Sequence, residues 1–169
     1  MRYIVTALQS EANPIIEFLN LTKVENNIYS NHESKLIISG IGKINSAIAV
    51  TQLKPTGKII NIGICGSTIS EVGRLHTIKK IIDKSSQKVV HVKDEGETLT
   101  CVDKPQNNPN EFKNTLIDME SFGFYTASKK FVAKENIELY KIVSDKISDT
   151  ILTPKEVHAL IYPHLEKLL

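Results

Sequence analysis

Short apolar runs alternate with amphipathic stretches along most of this chain, and each run ends in small or polar residues. Tyr3 to Leu8 is a mostly apolar run suited to a buried strand. Pro14 then stands where a helix should begin. With Asn13 as N-cap and Pro14 at the first helical position, the missing proline N–H costs nothing, and Ile15, Ile16 and Leu19 supply an apolar stripe. Gln9-Ser10-Glu11 is then the loop at the strand's C-terminal end. Ile28-Tyr29 and Leu36 to Ile38 read as a hairpin around the polar Ser30 to Ser34, and Ile44, Ala47, Ile48 and Leu53 follow at helical spacing.

Ile59 to Ile64 predicts a further strand ending in Cys65-Gly66-Ser67. Lys88 to Val92 and Thr98 to Val102 are short strand patterns, and Pro105 to Asn110 is a polar loop. Leu116-Ile117 stops at Asp118-Met119-Glu120, after which Phe122, Tyr125, Ser128/Lys129 and Val132 recur at helical spacing. Leu139 to Val143 stops at Ser144-Asp145-Lys146. Thr153-Pro154-Lys155-Glu156 is a capping box opening a helix whose stripe is Val157, Leu160, Ile161, Leu165 and Leu168. This alternation predicts one domain over residues 1–169, a three-layer αβα fold with a mixed, largely parallel central sheet.

In such sheets ligands bind at the C-terminal edge of the strands, which is where this pattern delivers Glu11, Glu120 and Asp145. Each has a plainer explanation. Acidic residues favour helix N-termini, and Ser144 or Asp145 could simply be an N-cap for the next segment. Ser39-Gly40-Ile41-Gly42-Lys43 lacks the third glycine of a dinucleotide fingerprint and the ending of a phosphate loop. It reads as a close turn where backbone and a helix N-terminus can approach a ligand.

Composition narrows the classes. The 169 residues carry a net charge of +2, too weak to point to nucleic acid, and pairs such as Lys79-Lys80 read as solvated faces. Cys65 and Cys101 form no framework or metal spacing, and His32, His76, His91, His158 and His164 show no ligating pattern, so neither metal nor cofactor is expected. No stretch approaches a membrane span of about 20 apolar residues, and the N-terminus enters a strand directly. A cytoplasmic protein is expected.

Met119-Glu120 and Ser144-Asp145 resemble the Met-Glu and Ser-Asp signatures of the nucleoside phosphorylase superfamily, closest to its methylthioadenosine/S-adenosylhomocysteine nucleosidase branch. The segments TALQSEANPIIEFL, SGIGKINSAIA and NIGICGS are similar to that family's corresponding loops, and Glu71-Val72-Gly73-Arg74 to its VGD segment with Arg74 for the acid. The resemblance covers roughly residues 1–82 and 112–169; the base-specifying middle is abbreviated, which implies fewer strands than usual. It implies Asp145 as the acid that protonates the leaving base, oriented by Ser144, with Glu120 on the ribose hydroxyls and Glu11 activating water. Met119, Gly40, Gly63, Gly66 and Lys141 would complete the substrate site. Ile64 stands where the family has serine and Lys141 where it has arginine, and arginine is confined to Arg2 and Arg74. A phosphate nucleophile needs fixed, forked donors. The resemblance thus implies an N-ribosyl hydrolase for a purine-type nucleoside, with a phosphorylase and a degenerate nucleoside binder as alternatives. An open base pocket implies a homodimer or larger assembly.

Overall fold

The structure, a computed structural model, describes residues 1–148 and 151–169. Its strands are β1 (Arg2–Thr6), β2 (Thr22–Glu25), β3 (Ile28–Ser30), β4 (Ser34–Ile38), β5 (Ile59–Ser67), β6 (Leu75–Asp83), β7 (Val89–His91), β8 (Glu97–Cys101), β9 (Leu116–Asp118) and β10 (Ile137–Asp145). The helices are α1 (Gln9–Leu19), α2 (Lys43–Leu53), α3 (Ser121–Ser128), α4 (Pro154–Ile161) and α5 (Leu165–Leu168).

One mixed sheet runs in the order β10-β6-β8-β9-β5-β1-β4-β3-β2, with β7 on β6. The central run β4-β1-β5-β10 is parallel, and the hairpins at the edge are antiparallel. Since β10 pairs with both β5 and β6, the strands β5, β9, β8, β6 and β10 close on themselves. Alternation along β1 sorts the two faces. Tyr3 and Val5 pack with Ala49, Val50 and Leu53 of α2 and Phe124 of α3, whereas Ile4 packs with Ala12 and Ile15 of α1 and Val157 and Ile161 of α4. Burying each such isoleucine or valine stabilises the fold by roughly 1.5–3 kcal/mol, so the two faces together lock the layers onto the sheet.

The structure departs from the pattern in two helices. α1 begins at Gln9 rather than after Asn13, and Pro14 lies inside it. Glu11 explains the early start. Its carboxylate accepts the N–H groups of Ala7 and Leu8, both at 2.9 Å, supplying the partners a helix N-terminus lacks. Glu11 is therefore in the first turn, aimed inward, and not on a loop. At the C-terminus a 3-10 turn, Tyr162–His164, divides the expected single helix into α4 and α5, because Pro163 cannot donate the next helical bond. The stripe survives, with Val157, Ile161, Leu165 and Leu168 buried. Residues 83–111 contribute β7 and β8 to the sheet. No helix among the described residues is long and apolar enough to cross a membrane.

Candidate active site

The C-terminal ends of β1, β5 and β10 meet at one edge of the sheet, and β9 runs antiparallel to the end of β5, with Ile117 opposite Gly66. That pairing carries Asp118, Met119 and Glu120 to the mouth of β5. A cavity of about 280 Å³ opens there. Glu11, Met119, Glu120, Ser144, Asp145 and Gly66 all line it, and so does Ile64.

Glu11 is 3% exposed. Besides its two bonds to Ala7 and Leu8, it accepts the Ile64 N–H at 2.9 Å through Oε1. Gly63 permits this approach, because a Cβ there would lie 2.9 Å from the same oxygen. Burial pushes the Glu11 carboxyl up from its ordinary range, opposed by Lys141 and the three N–H donors.

Glu120 accepts the Gly42 N–H at 2.8 Å, which ties it to the start of α2. Gly42 has φ 101°, a left-handed value that side chains rarely adopt, so the turn that presents this N–H depends on glycine. Burial, then the neighbouring Asp118, raises the Glu120 carboxyl to about 7, with Lys141 pulling the other way.

Asp145 follows a register shift in β10 between Val143 and Asp145, a bulge that re-aims the end of the strand into the cavity. Its Oδ1 accepts the N–H groups of Ile147 at 2.7 Å and Ser148 at 3.1 Å. Its Oδ2 is 2.6 Å from Ser144 Oγ, which also reaches the Cys65 carbonyl at 3.1 Å. Ile147 is a β-branched residue at φ 63°, so backbone strain is stored beside the carboxylate.

Lys141 lies beneath the cavity and does not line it. It is 1% exposed, and its Nζ is 2.9 Å from Asp118 Oδ2. Burial alone would depress this ammonium, but Asp118, Glu120 and Glu11 outweigh it and hold it above its ordinary range. Gly40 and Gly63 also stand behind the lining; the Gly40 N–H bonds the Ala7 carbonyl at 3.0 Å. Arg74 is exposed and lines a separate surface depression with His164 and Lys167. Among the described residues no lysine, arginine or histidine lines the cavity, and no cluster is placed to hold a metal ion.

Sequence reasoning assigned no role to Asp118, although Asp118-x-x-Ser121 is a helix-start signal: the carboxylate accepts the Ser121 N–H at 3.0 Å and its hydroxyl at 2.7 Å. It also passed over Ile41, Val102, Pro105, Gln106 and Ile147, which line the same cavity without any local motif.

The arrangement of sheet and helices is a fold seen in solved nucleosidase structures. Among solved structures the chain is similar to an MTAN from Chlamydia trachomatis (TM-score 0.83, 16% identity, covering 99% of this chain and 96% of that one). It is also similar to the 5'-methylthioadenosine/S-adenosylhomocysteine nucleosidase from Helicobacter pylori (0.77, 15%, 99% and 96%) and the futalosine hydrolase of Helicobacter pylori (0.73, 15%, 96% and 91%). The likeness spans nearly the whole chain, so it includes residues 83–111, where resemblance by sequence fades. By sequence the chain matches no protein-family model and none of the curated proteins.

Proposed function

We propose that this protein is an N-ribosyl hydrolase that cleaves the glycosidic bond of a purine-type nucleoside. One observation carries the choice of water over phosphate: four carboxylates, Glu11, Asp118, Glu120 and Asp145, line the cavity, and among the described residues no cation does. A phosphate anion entering there would face four carboxylates against the single ammonium of Lys141, which is buried beneath them and paired with Asp118, and Ile64 offers it no side-chain donor. Water meets a buried carboxylate ready to accept its proton.

Breaking the bond from C1′ to a base nitrogen passes through a cation-like sugar while negative charge develops on the base. Asp145 supplies a proton to the base. Ser144 suits it to both protonation states, since its hydroxyl proton can point to ionised Asp145 Oδ2 or turn to the Cys65 carbonyl when Asp145 carries the proton. Glu120 accepts the ribose hydroxyls and stabilises the cationic sugar. Glu11, held by three N–H groups, takes the proton of the attacking water. Met119 packs beside Glu120 as the apolar support for the sugar, and Gly66 lets the base approach Asp145. Lys141 acts from below, setting the charge of the cluster.

Ile44 and Ile48 on α2, and Ile41 in the turn before it, are half exposed or more, and Ile41 also lines the cavity. We assign this stripe to a homodimer in which the second copy covers the open side of the site. Sedimentation should give a dimer, and Ile44→Asp should shift it toward monomer with loss of nucleoside affinity; a monomeric wild type overturns the assignment. The free, buried thiols of Cys65 and Cys101 fit a cytoplasmic enzyme of nucleoside salvage.

The deciding assay incubates a panel of purine nucleosides in phosphate-free buffer and identifies the sugar product by mass. Free or 5′-substituted ribose is expected. A requirement for phosphate with a ribose 1-phosphate product would replace the hydrolase with a phosphorylase, and no product in either buffer would leave a nucleoside binder.

A further inference from the structure

Two anchors hold the segment after β8 over the cavity. The Val102 N–H donates to the Asp118 carbonyl at 2.8 Å, and Asp103 pairs with Lys43 at 2.7 Å. Val102 packs with Ile117 and Ile147, and the Ile147 N–H is one of the two that hold Asp145. Pro105 then limits the backbone, and Gln106 comes to line the cavity. Side-chain positions fixed in this way need little ordering when a ligand arrives.

Gln106 is the only carboxamide among the described residues lining this cavity. Its orientation is set by one contact: Nε2 donates to the Lys104 carbonyl at 2.8 Å. Turning the amide over would place Oε1 against that carbonyl, acceptor against acceptor, so the present orientation is the favoured one. Among the described residues no donor is bonded to Oε1. The same cavity is lined by the apolar cluster Val102, Ile117, Met119 and Ile147 and by Asp145.

We propose that Gln106 Oε1 is the acceptor that reads the six-position of the purine, selecting a 6-amino base over a 6-oxo base. This rests on the nucleosidase reading of the same cavity. An amino group donates to a fixed acceptor. A carbonyl oxygen at that position faces it with like partial charge, and the amide cannot turn to suit it without losing Lys104. Bare purine, with hydrogen at the six-position, neither gains the bond nor suffers the repulsion, and so measures the bond alone.

The test is calorimetric binding of adenine, purine and hypoxanthine to the full chain, as wild type, Gln106→Leu and Gln106→Glu. Wild type should prefer adenine over purine by roughly tenfold, the scale of one hydrogen bond, with hypoxanthine weakest. Gln106→Leu should erase the preference for adenine over purine while leaving purine affinity in place, and Gln106→Glu, which keeps an acceptor but loses the bond to Lys104 that holds it, should retain only part of it. A wild type without the preference, equal losses for adenine and purine in Gln106→Leu, or no binding of any of the three bases overturns the proposal. Base release from the matching nucleosides separates the two levels. Cleavage with an unchanged preference in Gln106→Leu removes Gln106 and leaves the hydrolase. A preference lost in Gln106→Leu without cleavage by any form keeps Gln106 and removes the hydrolase.

Discussion

Lys141 Nζ stands 2.9 Å from Asp118 Oδ2, with both side chains at 2% exposure or less, and this pair is the floor beneath the carboxylates of the cavity. Two strands that are distant in sequence make it. β10 brings the lysine and β9 the aspartate, and each pairs with β5. Without the ammonium, Glu11, Asp118 and Glu120 would be three buried acids with no compensating cation nearby. The lysine is thus what allows acidic chemistry to be concentrated at this edge.

Removing it should be costly. Lys141→Met leaves Asp118 charged and unpaired in the interior, and an orphaned buried charge typically destabilises by about 3–5 kcal/mol. Asp118→Asn should partly relieve the loss, because a neutral amide no longer needs the cation. Urea unfolding of both single variants and the double variant measures the coupling, expected to be about 1–3 kcal/mol. Strict additivity would show that the pair is not an energetic unit.

The raised carboxyls set the pH response. Glu120 is held at about 7 against an ordinary 4.5, and Glu11 is raised in the same sense, so the folded protein keeps protons that the unfolded chain gives up. The contribution of Glu120 is complete below pH 4.5 and is lost as pH rises through about 7, and Glu11 adds to it in the same direction. Thermal unfolding of wild type should show this decline, and Glu120→Gln should flatten it. Ionised Glu120 is also the form that accepts ribose hydroxyls. Nucleoside affinity should therefore rise with pH through about 7, and Glu120→Gln should weaken nucleosides far more than free bases. Equal weakening of both would remove Glu120 from the ribose.

Local pattern was enough to find most of the strands, though not the exposed β2, and the acids near their ends, because strand alternation and the abrupt stops at Glu120 and Asp145 are properties of a few adjacent residues. What it missed was built by distant contacts. The start of α1 depends on Glu11 serving as its own helix cap, a bond invisible in a sequence where Asn13-Pro14 offers the more familiar signal. Lysine is almost never fully buried, so position 141 read as part of the substrate site, whereas the fold sets it beneath the cavity against Asp118. Gln106 carries no motif at all, and only the fold of the loop after β8 brings it to the cavity.

For Asp145 the backbone bonds and the chemistry can be separated. Asparagine keeps an Oδ1 able to accept the Ile147 and Ser148 N–H groups, so the loop should hold its shape. It has no acidic proton to give to the departing base. Asp145→Asn should lower turnover about 10²-fold or more with nucleoside affinity retained. Turnover near that of wild type would take the acid role from Asp145.

The last prediction links a helix contact to the site. Gly123 on α3 lies so close to α2 that a Cβ there would sit 1.9 Å from the Lys43 carbonyl oxygen and 2.6 Å from its carbon. Backbone atoms cannot rotate away, so Gly123→Ala must push the start of α2 outward. Overpacking of this kind costs about 1–3 kcal/mol. The displaced turn includes Gly42, whose N–H holds Glu120 at 2.8 Å. Gly123→Ala should therefore lower the unfolding midpoint and also weaken nucleoside binding, while free bases, which do not use Glu120, keep their affinity. If nucleosides and bases weaken together, the displacement spreads through the cavity as a whole; if neither weakens although the protein is destabilised, the bond from Gly42 does not position Glu120 for the ribose.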